Sequence, residues 1–288
     1  MNHALQRLIA RYQPQTLQDW ENALKEIVQE LVLLGLWRAK FYQHAAFYGG
    51  TALRIFHSLP RFSEDLDFSL LQPTKNFDLS PYLEAIRIEL ASLGFSFEAE
   101  PKTKQVQTTI ESAFIKGGTR INLLSIGAPE VLHQHLPKPQ KIKIKLEIDT
   151  RPPQGADYEV KTLLIPIPFQ VKIFTPPCLF AGKLHALLHR RWKQRVKGRD
   201  FYDFIWYLSR DIPCHLPHLQ QRMEQTGHWD KAETLDLAVL KKQLQSRFET
   251  VDFEQAKSDV RPFIKDDAEL ALWSQEFFIG LLDRVNGV

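Results

Sequence analysis

Apolar positions first recur at helical spacing in TLQDWENALKEIVQELVLLGL, where Trp20, Leu24, Ile27, Val28, Leu31 and Leu34 form one stripe. Thr16, with Asp19 three residues on, reads as the N-cap of this helix, and Gly35 as its stop. The period then shortens. AAFY is an apolar run leading straight into Gly49-Gly50, TALRIFHSLP reads as a brief helix closed by Pro60, and EDLDFSL alternates as a half-buried strand does. PYLEAIRIELASL predicts a helix opened by Ser80-Pro81 and ended at Gly94. VQTTIESAFI and RINLLSI flank KGGT and predict a β-hairpin, and KIKIKLEID is another alternating strand. From Thr175 onward the pattern is mostly helical, over residues 176–194, 200–209, 231–248 and 267–284. The expectation is an α+β fold. An N-terminal helix and a mixed β-sheet core fill residues 1–174, a helical C-terminal domain fills 175–288, and Pro-rich stretches at 152–153, 166–168 and 176–177 are the joints.

Composition narrows the class. Hydrophobic residues make up 44% and charged residues 25% of the 288, which excludes a disordered chain. Thirty-seven Lys+Arg against thirty-four Asp+Glu leave +3, so global charge does not mark a nucleic-acid binder. Local charge is more telling. Residues 183–199 hold seven Lys/Arg and no acid, and residues 138–145 add four lysines, a pattern suited to a polyanion such as RNA. Trp192 lies in the strip and can stack on a base. Two cysteines are too few for a disulfide framework or a Cys-based zinc site. MNHALQRLIARYQPQ lacks the apolar core of a signal peptide, and no apolar run approaches the roughly 20 residues of a membrane span. A soluble, cytoplasmic protein is expected.

The chemistry concentrates in two stretches. In FYGGTALRIFHSLPRFSEDLDFSL, a strand ending in Gly49-Gly50-Thr51 and opening a helix offers backbone N–H groups to an anion, and the glycines allow close approach. Thirteen residues separate Thr51 from Asp65, which begins Asp65-Leu66-Asp67. On a strand, Asp65, Asp67 and Ser69 share one face, the two carboxylates roughly 6–7 Å apart, a spacing that can hold one or two Mg²⁺ ions beside a phosphate cradle. The second stretch is LFAGKLHALLHRRWKQRVKGRDFYDFIWYL. Thr175 caps its first helix with Pro176 at the first position, and Lys183 and Arg190, seven apart, flank the apolar stripe where both can reach a triphosphate. Asp200 reads as the cap of the helix FYDFIWYL. His185 and His189, four apart, and His133-x-His135 lack a metalloprotease pattern and read as ordinary surface histidines.

GGTALR followed by RFSEDLDFS resembles the first motif of the nucleotidyltransferase superfamily with the polymerase-β-like fold, and more narrowly the AbiEii/AbiGii toxin family, with Arg61 and Ser63 matching the prefix to its Asp-x-Asp. A-x-K-L-x-A-L-x-x-R and R-D-x-Y-D in the second stretch resemble its later motifs, through Lys183, Arg190, Arg199, Asp200 and Asp203. The resemblance implies a Mg²⁺-dependent (or Mn²⁺-dependent) enzyme that moves a nucleotidyl group from an NTP to RNA, expected to be the 3′ end of tRNA. Gly49, Gly50, Thr51, Arg54 and Arg190 would bind the nucleotide, and Asp65, Asp67, Lys183 and Asp203 would be catalytic. Asp65 and Asp67 would hold the metal with a third carboxylate from a neighbouring strand, Glu147 with Asp149 as the alternative. It also implies a cognate antitoxin, an AbiEi-like winged-helix protein, in a toxin–antitoxin or phage-defence system. Two rival readings remain: a transferase of the same fold acting on a protein hydroxyl or small molecule, and a non-catalytic nucleotide-binding module.

Overall fold

The computed structural model describes residues 3–102, 109–133, 136, 140–190 and 195–288. They divide into two units, the first made of Met1–Thr51, Glu64–Pro152 and Val160–Ile173, the second of Ala52–Ser63, Pro153–Glu159 and Phe174–Val288. The first holds α1 (His3–Ala10), α2 (Leu17–Arg38), β1 (Ala45–Tyr48), the start of α3 (Gly49–His57), β2 (Leu66–Leu70), α4 (Ser80–Ser92), β3 (Phe97–Pro101), β4 (Ile110–Gly118), α5 (Thr119–Ser125), α6 (Glu130–His133), β5 (Lys141–Asp149), most of β6 (Tyr158–Leu163) and β7 (Phe169–Phe174). The strands form one sheet in the order β3-β4-β5-β2-β1-β7-β6. β1–β2, β3–β4 and β4–β5 run antiparallel, whereas β2–β5 and β1–β7 run parallel, so the sheet is mixed, as the sequence pattern predicts.

Alternation fixes the strands. Leu66, Phe68 and Leu70 of β2 and Ile142, Ile144, Leu146 and Ile148 of β5 are buried, while Asp67 and the charged residues of β5 between them are left less covered and Ser69 is buried with its neighbours. Phe68 lies 5.0 Å from Phe47 and 5.1 Å from Phe41, edge-on to the latter, and this aromatic contact pins the middle of β2. α2 begins with the expected capping box: the Thr16 hydroxyl accepts from the Asp19 amide and the Asp19 carboxylate from the Thr16 amide. Its second half is buried all round, so Gln29 and Glu30 need partners. Gln29 donates to the Glu64 carbonyl at 2.9 Å, and Glu30 meets Arg11 at 2.6 Å.

Gly35 does not stop α2, which continues to Arg38. A Cβ there would lie 3.0 Å from the Ile86 Cα and 3.2 Å from the Ala85 carbonyl, so this glycine allows α2 and α4 to touch backbone to backbone. Gly35→Val is therefore expected to cost about 1–3 kcal/mol through overpacking. A urea midpoint equal to that of the unaltered chain would refute the close-approach role.

RINLLSI, expected as the second arm of a hairpin, is α5 instead. β4 already pairs with β3 and β5 along its two edges, leaving no ladder for another strand. The buried residues Asn122, Leu123 and Ile126 follow helical spacing, and the Asn122 amide ties Gly118 to Ser96. β3, β6 and β7 were not foreseen.

The second unit holds the rest of α3, α7 (Pro176–His189), α8 (Gly198–Leu208), α9 (Leu216–Gln225), α10 (Leu237–Phe248), α11 (Phe253–Val260) and α12 (Gln275–Gly280). Two expected long helices are shorter: α10 starts only at Asp236, its N-cap, and the run 267–284 breaks into α12 flanked by single 3₁₀ turns. Phe201, Phe204, Phe248 and Phe278 form its aromatic core, with Phe180 stacked on Tyr207 at 4.4 Å. No helix among the described residues is long and apolar enough to cross a membrane.

Candidate active site

In the first unit, β1 turns directly into α3 and α3 returns to β2, so one short stretch supplies the turn and the acids. Gly49 sits at φ +83°, where only glycine is unstrained. A Cβ on it would lie 2.5 Å from Asp67 Oδ2, so the backbone of the turn lies directly against this carboxylate. Gly50 follows in the first turn of α3. Thr51 is buried, and its hydroxyl donates to the Asp65 carbonyl at 2.5 Å, locking turn to strand. Asp65 and Asp67 are half-buried, anchored by Leu66 and Phe68.

Register decides which downstream acid joins them. Asp67 is flanked by Tyr48 on β1 and by Glu147 on β5, whereas Asp149 is paired with Ser69, one step farther along the same face. Glu147 is thus the acid beside Asp67. Its carboxylate takes an ion pair from Lys145 at 2.7 Å and a long 3.5 Å bond from the Ser112 hydroxyl.

The second unit gathers the other predicted residues into a charge network. Arg61, 2% exposed, donates to both oxygens of the fully buried Asp203 at 2.5 and 2.6 Å. Lys183 bridges Asp203 Oδ2 at 2.8 Å and Asp200 Oδ1 at 2.7 Å. Arg190, the more exposed member, reaches Asp200 Oδ2 at 3.3 Å as an ion pair without hydrogen-bond geometry. Burial alone would raise the Asp203 carboxyl, but Arg61 and Lys183 outweigh it and hold the group below its ordinary value. Burial likewise works against the Lys183 ammonium, and Asp200 and Asp203 overcome it. Arg54 donates to the Leu59 and Pro60 carbonyls, holding the segment that leads to Arg61.

Asp200 does not cap α8. It lies inside the first turn, and the Gly198 amide is met instead by Asp259 of α11 at 2.9 Å, which frees Asp200 for Lys183. The basic strip is also less open than its sequence suggests. Lys183, Arg190 and Arg195 all pair with acids, Arg195 with Asp259, and Arg199 lies over the Phe263 ring. Trp192 and Lys138, expected to contribute to RNA binding, lie outside the described residues, as does His135.

A family profile described as nucleotidyl transferase AbiEii toxin, type IV toxin–antitoxin system, matches residues 31–278. The chain belongs to the AbiEii toxin family. It is accordingly a nucleotidyltransferase of a type IV toxin–antitoxin system, with a nucleotide substrate and a cognate antitoxin. Solved structures similar to it include two from Helicobacter pylori. One is a chain to which nucleotidyltransferase activity has been ascribed, 16% identical, covering 90% of this chain and 92% of its own length at a TM-score of 0.49. The other is JHP933, also 16% identical, covering 90% and 89% at 0.47. No curated protein matches the chain.

Two further polar groups of this AbiEii-type toxin bear on metals and on pH. Among the described residues, Asp157, Cys178 and His215 bring ligand atoms within 4.8 Å of one another. Two of the three already accept hydrogen bonds. His215 Nδ1 accepts from the His218 amide as the cap of α9, so the neutral ring carries its proton on Nε2, facing Asp157 at 3.4 Å. Cys178 accepts from the Asp157 amide, and burial raises its thiol. With a thiol and an imidazole among its three donors, this group does not suit Mg²⁺.

His185, His189 and His228 pack together, the last two stacked at 4.2 Å, and His218 is wholly buried. Burial, then Arg222 and neighbouring imidazoles, push His185 down to about 3; burial and His228 push His189 to about 4, and burial and Arg222 push His218 to about 4. The unfolded chain takes up these protons first, near pH 6.5, so stability is full above that value and falls as pH drops toward 4. Urea midpoints are expected to decline between pH 6.5 and 4.5, above the range where carboxylates titrate. A flat profile across that window would contradict the burial of these imidazoles.

Proposed function

We propose that the toxin transfers a nucleotidyl group from an NTP to the 3′ hydroxyl of an RNA, tRNA being the expected acceptor. The observation that carries this reading is the contact between the Gly49 backbone and Asp67, with Glu147 next to Asp67 in register: an anion-accepting turn and paired carboxylates meet in one place. Asp67 and Glu147, paired in register, and Asp65, just ahead of β2, would supply the hard oxygen donors that a Mg²⁺ or Mn²⁺ ion takes. When bound, the ion polarises the α-phosphate and stabilises charge on the oxygens exchanged there.

The chain's own part follows from its geometry. Gly49 and Gly50 admit the triphosphate against backbone N–H groups at the start of α3. The acceptor oxygen attacks the α-phosphorus, the bond to the bridging oxygen breaks, and pyrophosphate leaves with both electrons of that bond. Asp67 or Glu147 takes the proton of the attacking hydroxyl. The family resemblance assigns Lys183 and Arg190 to the leaving pyrophosphate. In their own unit Asp203 and Asp200 hold these cations in place, which makes Asp203 a positioning residue, and Arg190 keeps the greatest exposure of the network. An RNA acceptor suits a cytoplasmic toxin restrained by a winged-helix antitoxin and released during phage defence.

The test is incubation of the purified chain with total RNA, Mg²⁺ and each α-³²P-labelled NTP. Label in a tRNA-sized band supports the reading and names the donor. Label in protein moves the acceptor to a side-chain hydroxyl, and no label from any NTP sinks the transferase assignment to RNA.

A further inference from the structure

A cavity of about 290 Å³ in the first unit lies where the end of α2 and the 3₁₀ turn Phe41–Gln43 meet β6 and β7. One wall is the indole of Trp37, 37% exposed although its inner edge contacts Phe169. Lys40 and Lys172 supply two ammonium groups, Gln43 and Gln170 two amides, and the buried Tyr42 helps form the base. No carboxylate lines it. Neither lysine has an acidic partner among the described residues, in contrast to Lys183, Arg190 and Arg195.

An exposed indole beside two unpaired cations and amides that both donate and accept is the chemistry that takes a nucleobase and its phosphate. The volume suits one nucleotide and is too small for two stacked ones. We infer that this pocket is a subsite for a single nucleotide unit, its base on Trp37 and its phosphate between Lys40 and Lys172.

Its location gives the subsite a use. Val171 and Ile173 are buried, so Gln170 and Lys172 project from the opposite face of β7. Phe47 pairs with both Ile173 and Phe68, which puts Lys172 on the same sheet face as Asp67. Two interstrand spacings separate β7 from β2, and Lys172 falls level with Ser69, two residues from Asp67, so the two positions lie on the order of 12 Å apart, a distance spanned by about two nucleotides of an extended strand. A nucleotide held here would anchor a single-stranded end whose terminal hydroxyl lies at the carboxylates. The RNA source rests on the function proposed above; the nucleotide chemistry of the pocket does not.

The experiment measures binding of a short fluorescein-labelled single-stranded ribo-oligonucleotide to the full chain by anisotropy. Lys40→Ala/Lys172→Ala should weaken binding at least tenfold and reduce the slope of log Kd against log salt by about 1.4, as loss of two phosphate contacts on a single strand requires. Trp37→Ala should weaken it about tenfold with the salt slope unchanged, because stacking is uncharged. Lys40→Arg/Lys172→Arg and Trp37→Phe should retain most of the affinity, which separates a binding role from a folding defect. AMP displacing the oligonucleotide would show that a free nucleotide also enters, and failure of AMP to displace it would make the RNA strand the occupant. Unchanged affinity and slope in the double lysine variant would overturn the inference. The same measurement on Asp65→Ala/Asp67→Ala, expected to bind without transferring, keeps this outcome independent of whether the wild type labels RNA.

Discussion

Replacing Asp65 and Asp67 together by alanine is expected to lower nucleotidyl transfer by at least about a thousandfold, equivalent to roughly 4 kcal/mol of transition-state stabilisation. The fold should be little changed. Both side chains are half-buried at the exposed edge of the Leu66–Phe68 packing, and the apolar residues that anchor β2 remain. The paired readout is label incorporation against thermal midpoint. Transfer within tenfold of wild type, with an unchanged midpoint, would rule out a role for these carboxylates in the chemistry.

Asp203→Ala has the largest expected effect on stability, a loss of about 3–5 kcal/mol, because it leaves the Arg61 guanidinium buried without its bidentate partner. Lys183 keeps Asp200, so the damage centres on Arg61. The double variant Arg61→Met/Asp203→Leu should recover most of the loss, since neither charge then needs to be desolvated. Urea denaturation of Arg61→Met, Asp203→Leu and the double variant forms the cycle. Additive losses would show that the 2.5 Å contact contributes no coupling and that each residue acts alone. The network also has a pH signature. Asp203 titrates below its ordinary value, so its contribution is present above the unfolded carboxyl pKa and is lost only as pH falls through the lower folded one.

What could be read in the sequence was local. The run from AAFY to EDLDFSL carries its own punctuation, and β1, α3 and β2 all appear within it, although β2 begins at Leu66 and leaves Asp65 ahead of the strand. The choice between Glu147 and Asp149 could not be made from KIKIKLEID, because both acids share a face; only pairing with β2 places Glu147 opposite Asp67. Gly35 looked like a stop because its use, contact with Ile86, lies in another helix. The same holds for Asp200, which resembles a cap until Asp259, from α11, is seen to satisfy that amide. Arg61 matched a motif prefix without any indication that it neutralises Asp203. Local propensity says nothing about a partner contributed by a distant segment, and most of the misreadings share that cause.

The Arg61–Asp203 pair joins residues 142 positions apart, and the unit it secures is assembled from residues 52–63, 153–159 and 174–288. A ribosome therefore releases Arg61 on the order of ten seconds before the carboxylate that neutralises it. Throughout that interval the first strand–turn–strand segment can exist, but the second unit cannot. The second unit is thus the later of the two to be completed during synthesis. Truncated products from a broken transcript would expose a buried arginine with nothing to pair with, and would be removed as unfolded chains before they could become active fragments.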